Sequence, residues 1–111
     1  MGELFVDPGR LSARLRLEKA DEVSDGQGGL VEGWSLVADV WGRVEPLRAK
    51  AGELADAATA PVSHRVTIRY RDDVDNAMRF VFRERSLTIR SLRDPDETRR
   101  YLVCDCEEAR P

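Results

Sequence analysis

The sequence predicts a mainly β protein: a small antiparallel β-barrel or sandwich of about six strands, with one short helix or ordered loop as an insert. Three observations point there. Apolar and polar residues alternate at period two in one stretch after another, with β-branched and aromatic residues gathered on the apolar side. Short turns rich in Gly, Asp and Pro separate those stretches at close spacing. The helical period shows clearly in only one alanine-rich segment, bounded by Pro46 and Pro61.

Taken in order, Leu11, Ala13, Leu15 and Leu17 alternate with Ser12, Arg14, Arg16 and Glu18, a strand with one face in and one out. Pro8-Gly9 reads as the turn before it, and Met1–Asp7 as a loose arm. Ser24-Asp25-Gly26-Gln27-Gly28-Gly29 is turn chemistry that joins this strand to the next. Its glycine spacing matches neither a P-loop nor a dinucleotide fingerprint, so the segment reads as a connector. Leu30–Glu45 carries two phases at once. Trp34, Val37, Ala38, Trp41 and Val44 fit a helical stripe, whereas Leu36, Ala38, Val40, Gly42 and Val44 fit a strand. The valines, the tryptophans and Gly42 favour a strand with a bulge near Val37–Ala38, ended by Pro46. Trp34 and Trp41 are assigned as core or interface anchors, with the core preferred, and Tyr70 joins them as an anchor.

Within Leu47–Ala60, Leu47, Ala51, Leu54, Ala55 and Ala58 form a thin helical stripe interrupted by Gly52. A helix this weak needs something to pack against. It is the expected segment for contacts between subunits or with a channel, through Leu47, Arg48, Lys50, Glu53, Leu54 and Asp56. Val62–Arg71 is the central strand, with Val62, His64, Val66, Ile68 and Tyr70 on its inner side; ten residues would run roughly 30 Å. An acidic turn at Asp72–Asn76 follows, then a strand over Met78–Arg83 with Met78, Phe80 and Phe82 on one face. A reversal at Glu84-Arg85, a strand at Ser86–Leu92, a turn at Asp94–Thr98 and a last strand at Arg99–Cys106 complete a four-strand meander. With the first two strands it closes into a barrel, which would remove bare edges.

A chain of 111 residues suits one domain, 1–111, with a flexible arm at 1–9 and the insert at 47–61. There is no long apolar run, so no membrane span is expected, and the start lacks the pattern of a signal peptide, which predicts synthesis and retention in the cytoplasm. A net charge of −3 argues against a dedicated nucleic-acid binder. The charge is uneven: residues 1–61 hold 7 basic and 11 acidic side chains, and residues 62–111 hold 11 and 10. Cys104 and Cys106, two apart in a strand, share a face and are read as small reduced core residues. With one histidine and no further cysteine pair, no zinc site and no cofactor is expected. His64 lies in the apolar phase of a strand and no nucleophile has a partner arrangement beside it, so an enzyme is not expected. A small hydrolase would need a pocket joining His64 to a carboxylate.

The order of pieces resembles one known family. Gly9-Arg10-Leu11 leads into an alternating strand, and Asp25-Gly26-Gln27-Gly28-Gly29 forms a loop. Trp34 and Val40-Trp41-Gly42-Arg43-Val44-Glu45-Pro46-Leu47 come next, then His64-Arg65-Val66-Thr67-Ile68-Arg69-Tyr70-Arg71, Met78-Arg79-Phe80 and a closing strand near Cys104. From Gly9 to Cys106 the chain is similar to the head–tail joining, or head-closure, proteins of tailed bacteriophages, also found in prophages and gene transfer agents. The alanine-rich insert departs from the pattern, since family members often carry larger side chains there. The resemblance implies a virion neck protein that forms a homo-oligomeric ring between the portal–adaptor and the tail terminator or another tail protein. It implies closure of the filled head, with packaged DNA nearby in the channel but no sequence-specific binding, and assembly in the bacterial cytoplasm. The other class left open is a free-standing small β-barrel module that binds peptide or nucleic acid, which a concentrated Arg face would favour.

Overall fold

The computed structural model describes residues 8–47 and 62–109. After a 3-10 turn at Pro8–Arg10, six strands follow: β1 (Ala13–Ser24), β2 (Leu30–Pro46), β3 (His64–Arg69), β4 (Met78–Phe82), β5 (Arg85–Arg93) and β6 (Tyr101–Glu108). They close into an antiparallel barrel in the order β1-β2-β3-β6-β5-β4, as the alternating sequence predicts. The expected loose arm at Met1–Asp7 and the insert positions Arg48, Lys50, Glu53, Leu54 and Asp56 lie outside the described residues. Leu47 is described: its N–H donates to the Ser63 carbonyl at 2.9 Å, so the chain leaves and re-enters the barrel at adjacent points.

The core is the inward set of the alternation. Leu15, Leu17, Val66, Ile68, Phe80, Ile89, Cys104 and Cys106 are fully buried, and Leu87 and Leu102 nearly so. Both cysteines are free thiols. Val74 and Met78 close the barrel end beside the acidic turn, where Asp75 accepts the Ala77 N–H at 2.9 Å.

Several details differ from expectation. The strand expected over Val62–Arg71 is six residues long in the ladder, and the longest strand is β2, at seventeen. The last four strands are not a simple meander. β3 pairs with β6 while β4 pairs with β1, because β1 would otherwise show a bare edge at Arg16–Lys19 over the core residue Leu17. The β4–β5 reversal falls on Arg83–Glu84, one residue early, with φ of 52° and 66°. A two-residue hairpin turn needs that left-handed backbone, and without Asn-Gly nothing in the sequence announced it.

The tryptophans are the main correction. Trp34 and Trp41, preferred as core residues, are 39% and 53% exposed. The reason is the bulge. Leu17 pairs with Ala38 but Glu18 pairs with Leu36, so Val37 is the extra residue on β2. An extra residue flips the phase of a strand. Trp34 and Leu36, on the even phase, therefore share the outer face with Asp39 and Trp41 on the odd phase. Tyr70, the third anchor, is half-buried and packs against the core.

Candidate functional site

β1 and β2 outrun the barrel. β1 meets β4 only over Arg16–Lys19, and β2 meets β3 only over Gly42–Pro46, yet the two strands stay paired with each other to Ser24–Leu30. The far half is thus a two-stranded arm. Among the described residues, the backbone edge of β2 from Leu30 to Trp41 carries no ladder partner, which is the geometry that invites a further strand.

The arm's tip is set locally. The Asp25 carboxylate accepts the backbone N–H groups of Gln27 and Gly29 at 2.7 and 3.0 Å, and those bonds hold its pKa below the ordinary value. Gly26 and Gly28 adopt φ of +80° and +84°, which other residues take only with strain.

On the outer face of the arm the cross-strand pairs run Arg14–Trp41, Arg16–Asp39, Glu18–Leu36, Ala20–Trp34, Glu22–Glu32 and Ser24–Leu30. Four of the β2 members make an exposed apolar row broken by Glu32 and Asp39, with Leu30 at 66% and Leu36 at 49% beside the two tryptophans. A row of this kind is far more informative than a single exposed leucine. Its aromatic members are held in place by cations. The Arg79 guanidinium lies 4.1 Å from the centre of the Trp34 ring, and Arg14 lies 5.2 Å from that of Trp41. Arg79 is itself fixed by Glu18 at 2.9 Å, an ion pair largely withdrawn from solvent. The ring of Trp34 is therefore presented, not loose, and a partner would not have to order it on binding.

The other place with chemistry is around His64. Its Nε2 sits 3.1 Å from Arg85 Nη2, and its Nδ1 sits 2.8 Å from Ser63 Oγ. Arginine can only donate, so Nε2 accepts, and Nδ1 carries the proton and donates to Ser63. Ser63 Oγ also accepts the Glu108 N–H at 2.8 Å. A histidine that donates to a serine cannot take its proton, so this pair lacks the polarity of a nucleophile and base. The carboxylate nearby, Glu108, grips Arg85 at 2.7 Å. Burial and the Arg85 charge push the His64 pKa down. Burial raises the Cys104 thiol to about 12 and lifts Cys106 as well, so neither is a ready nucleophile. Among the described residues no three His, Cys, Asp or Glu side chains gather where they could hold a metal ion.

Of the sequence-predicted site residues, the structure brings Trp34 and Trp41 onto one face, leaves Tyr70 half-buried against the core, and puts Leu47 beside Ser63 at the end of β2. Leu30, Leu36, Arg79 and Glu18 were not foreseen there. The signal for Leu36 was the bulge, which makes it a member of the outer row, and Glu18 already stood on the outward side of its strand in the alternation.

A family model described as phage head completion protein matches residues 6–109. A comparison with curated proteins finds no significant match. Among solved structures, a Shigella flexneri 2a protein determined in solution is similar over 94% of this chain and 97% of its own, with 24% identity and a TM-score of 0.68. A chain of the virion of a native gene transfer agent particle is similar over 86% of this chain and 93% of its own, with 22% identity and a TM-score of 0.54. At these identities the two structures speak for the fold.

Proposed function

The chain belongs to the phage head completion protein family, and from that premise we propose that it forms a ring in the neck of a phage or phage-like particle. The ring sits between the portal–adaptor and the tail terminator or another tail protein, closes the DNA-filled head and offers the surface on which the tail docks. Its subunits fold in the bacterial cytoplasm and meet DNA only as the contents of a channel. The barrel is the rigid body. The observation that carries the reading is the arm, with its exposed row of Leu30, Trp34, Leu36 and Trp41 and an open β2 edge among the described residues. A monomer has no use for such a row, whereas an assembly protein buries it against a neighbour.

The insert at Leu47–Ala60 supplies further contacts, to a neighbouring subunit, a neighbouring ring or the channel. The test is complementation of particles that lack the chain. Trp34→Ser with Trp41→Ser should give a folded protein that fails to join filled heads to tails, and deletion of Glu53–Ala58 should do the same. Normal yields of infectious or transducing particles from the double tryptophan variant would remove the arm from the mechanism. Normal yields from the deletion would remove the insert.

A further inference from the structure

The two ends of the β1–β2 hairpin carry opposite charge. At the far end, a groove of about 440 Å³ is lined by Asp21, Glu22 and Glu32 with Trp34 beside them, and among the described residues no cation lines it. Residues 20–34 contain four carboxylates, counting Asp25, and no Lys or Arg. Asp21, Glu22 and Glu32 are exposed and form no ion pair among the described residues. At the near end, where β1 leaves the 3-10 turn and meets β4, a second groove of about 480 Å³ is lined by Arg10, Arg43 and Arg83 with Phe82 and Val44, and among the described residues no carboxylate lines it. Arg43 holds Glu45 at 3.6 Å. Arg10 and Arg83 have no ion-pair partner among the described residues, and Arg83 lies 4.9 Å from the centre of the Phe82 ring.

These surfaces cannot meet within one molecule. Ala13, which lines the basic groove, and Asp21, which lines the acidic one, are eight residues apart in a single strand, roughly 26 Å. The structure assigns the basic groove as the seat for the acidic arm of a second copy of this chain. Trp34 and Leu30 of the arm meet Phe82 and Val44, while Glu22 and Glu32, on the same face of the hairpin, meet Arg10 and Arg83. A contact between different surfaces on identical subunits is heterologous, and repeated it yields a closed ring or an open filament. Opposed charge sets its register and speeds encounter, and burial of the aromatic pair supplies the apolar part. This assignment rests on the ring reading above and names the two surfaces that would build it.

The test is a charge exchange on the full chain. Glu22→Arg with Glu32→Arg puts two positive side chains on the arm face that meets the positive groove; Arg10→Glu with Arg83→Glu puts two negative ones in the groove against the negative arm. Each variant alone should self-associate about tenfold or more weakly than the wild type in low salt, by sedimentation velocity, with unchanged circular dichroism. An equimolar mixture should regain association, because each supplies the groove that fits the other's arm. High salt should weaken the wild-type and mixed assemblies together. Oligomers that form equally well in both variants overturn the assignment and leave the ring reading standing. A wild-type chain that stays monomeric also overturns it; whether rings are present in completed particles by electron microscopy then decides the ring reading separately. Loss of binding to a short DNA duplex by the Arg10→Glu, Arg83→Glu variant, with oligomers intact, would overturn it in favour of nucleic acid in the groove.

Discussion

Gly42 marks the point where the barrel tolerates nothing larger. It is buried in β2, opposite Ala13 on one side and Ile68 on the other, so its backbone takes part in both ladders. A Cβ at this position would stand 2.7 Å from Leu15 Cδ1, 2.9 Å from the Thr67 carbonyl oxygen and 3.0 Å from Ile68 Cγ2. The leucine methyl can swing away. The carbonyl belongs to β3 and moves only with the strand. Overpacking of this kind costs about 1–3 kcal/mol, and the reduced freedom of the unfolded chain on Gly→Ala returns about 0.4–1 kcal/mol. Gly42→Ala should therefore lose about 1–2 kcal/mol, which lowers Tm by roughly 5–15 °C in a domain this small. Gly42→Val should lose more. Thermal melts followed by circular dichroism read the effect directly. Leu15→Ala should not rescue Gly42→Ala, because the Thr67 carbonyl stays where it is. A Gly42→Ala protein as stable as the wild type would refute the packing argument.

Three other outcomes follow from the same structure. Trp34→Ala gives up the stacking of Arg79, about 0.5–1 kcal/mol at a partly exposed site, so its urea midpoint should move little; a loss of several kcal/mol would mean that the ring is structural after all. His64 has a folded-state pKa below its ordinary value, so protonation favours the unfolded chain. Its contribution is present above about pH 6.5, the unfolded value, and is lost as pH falls from there through the lower folded-state value. His64→Gln should flatten the change of stability between about pH 7.5 and 5.5, and an unaltered slope in urea titrations would contradict this. Finally, Cys104, raised to about 12, and Cys106 are buried, so an aromatic disulfide reagent at mildly alkaline pH should label them no faster than the protein unfolds. Rapid labelling of the native protein would show that the barrel opens locally.

What the sequence determined on its own is the part governed by near neighbours. Side chains two apart share a face of a strand, so Leu15 and Leu17, Val66 and Ile68, and Cys104 and Cys106 could be assigned to one interior without knowing which strands touch. The Ser24–Gly29 turn was equally legible, because Asp25 and the glycines act within five residues. The tertiary structure decided whatever depends on a partner far along the chain. Which strand covers the edge of β1 is a choice made by barrel closure, and it fell to β4. The bulge at Val37 could be suspected from two competing periods, but its consequence for the tryptophans appeared only when β1 fixed the register on both sides of it. Whether a phase faces in or out depends on where the barrel stands, and Trp34 and Trp41 stand outside it. The acidic end of the hairpin is local in sequence, but the basic groove at its other end was hidden for the same reason. Arg10, Arg43 and Arg83 are spread over more than seventy positions of sequence, and only the folded sheet brings them to one groove.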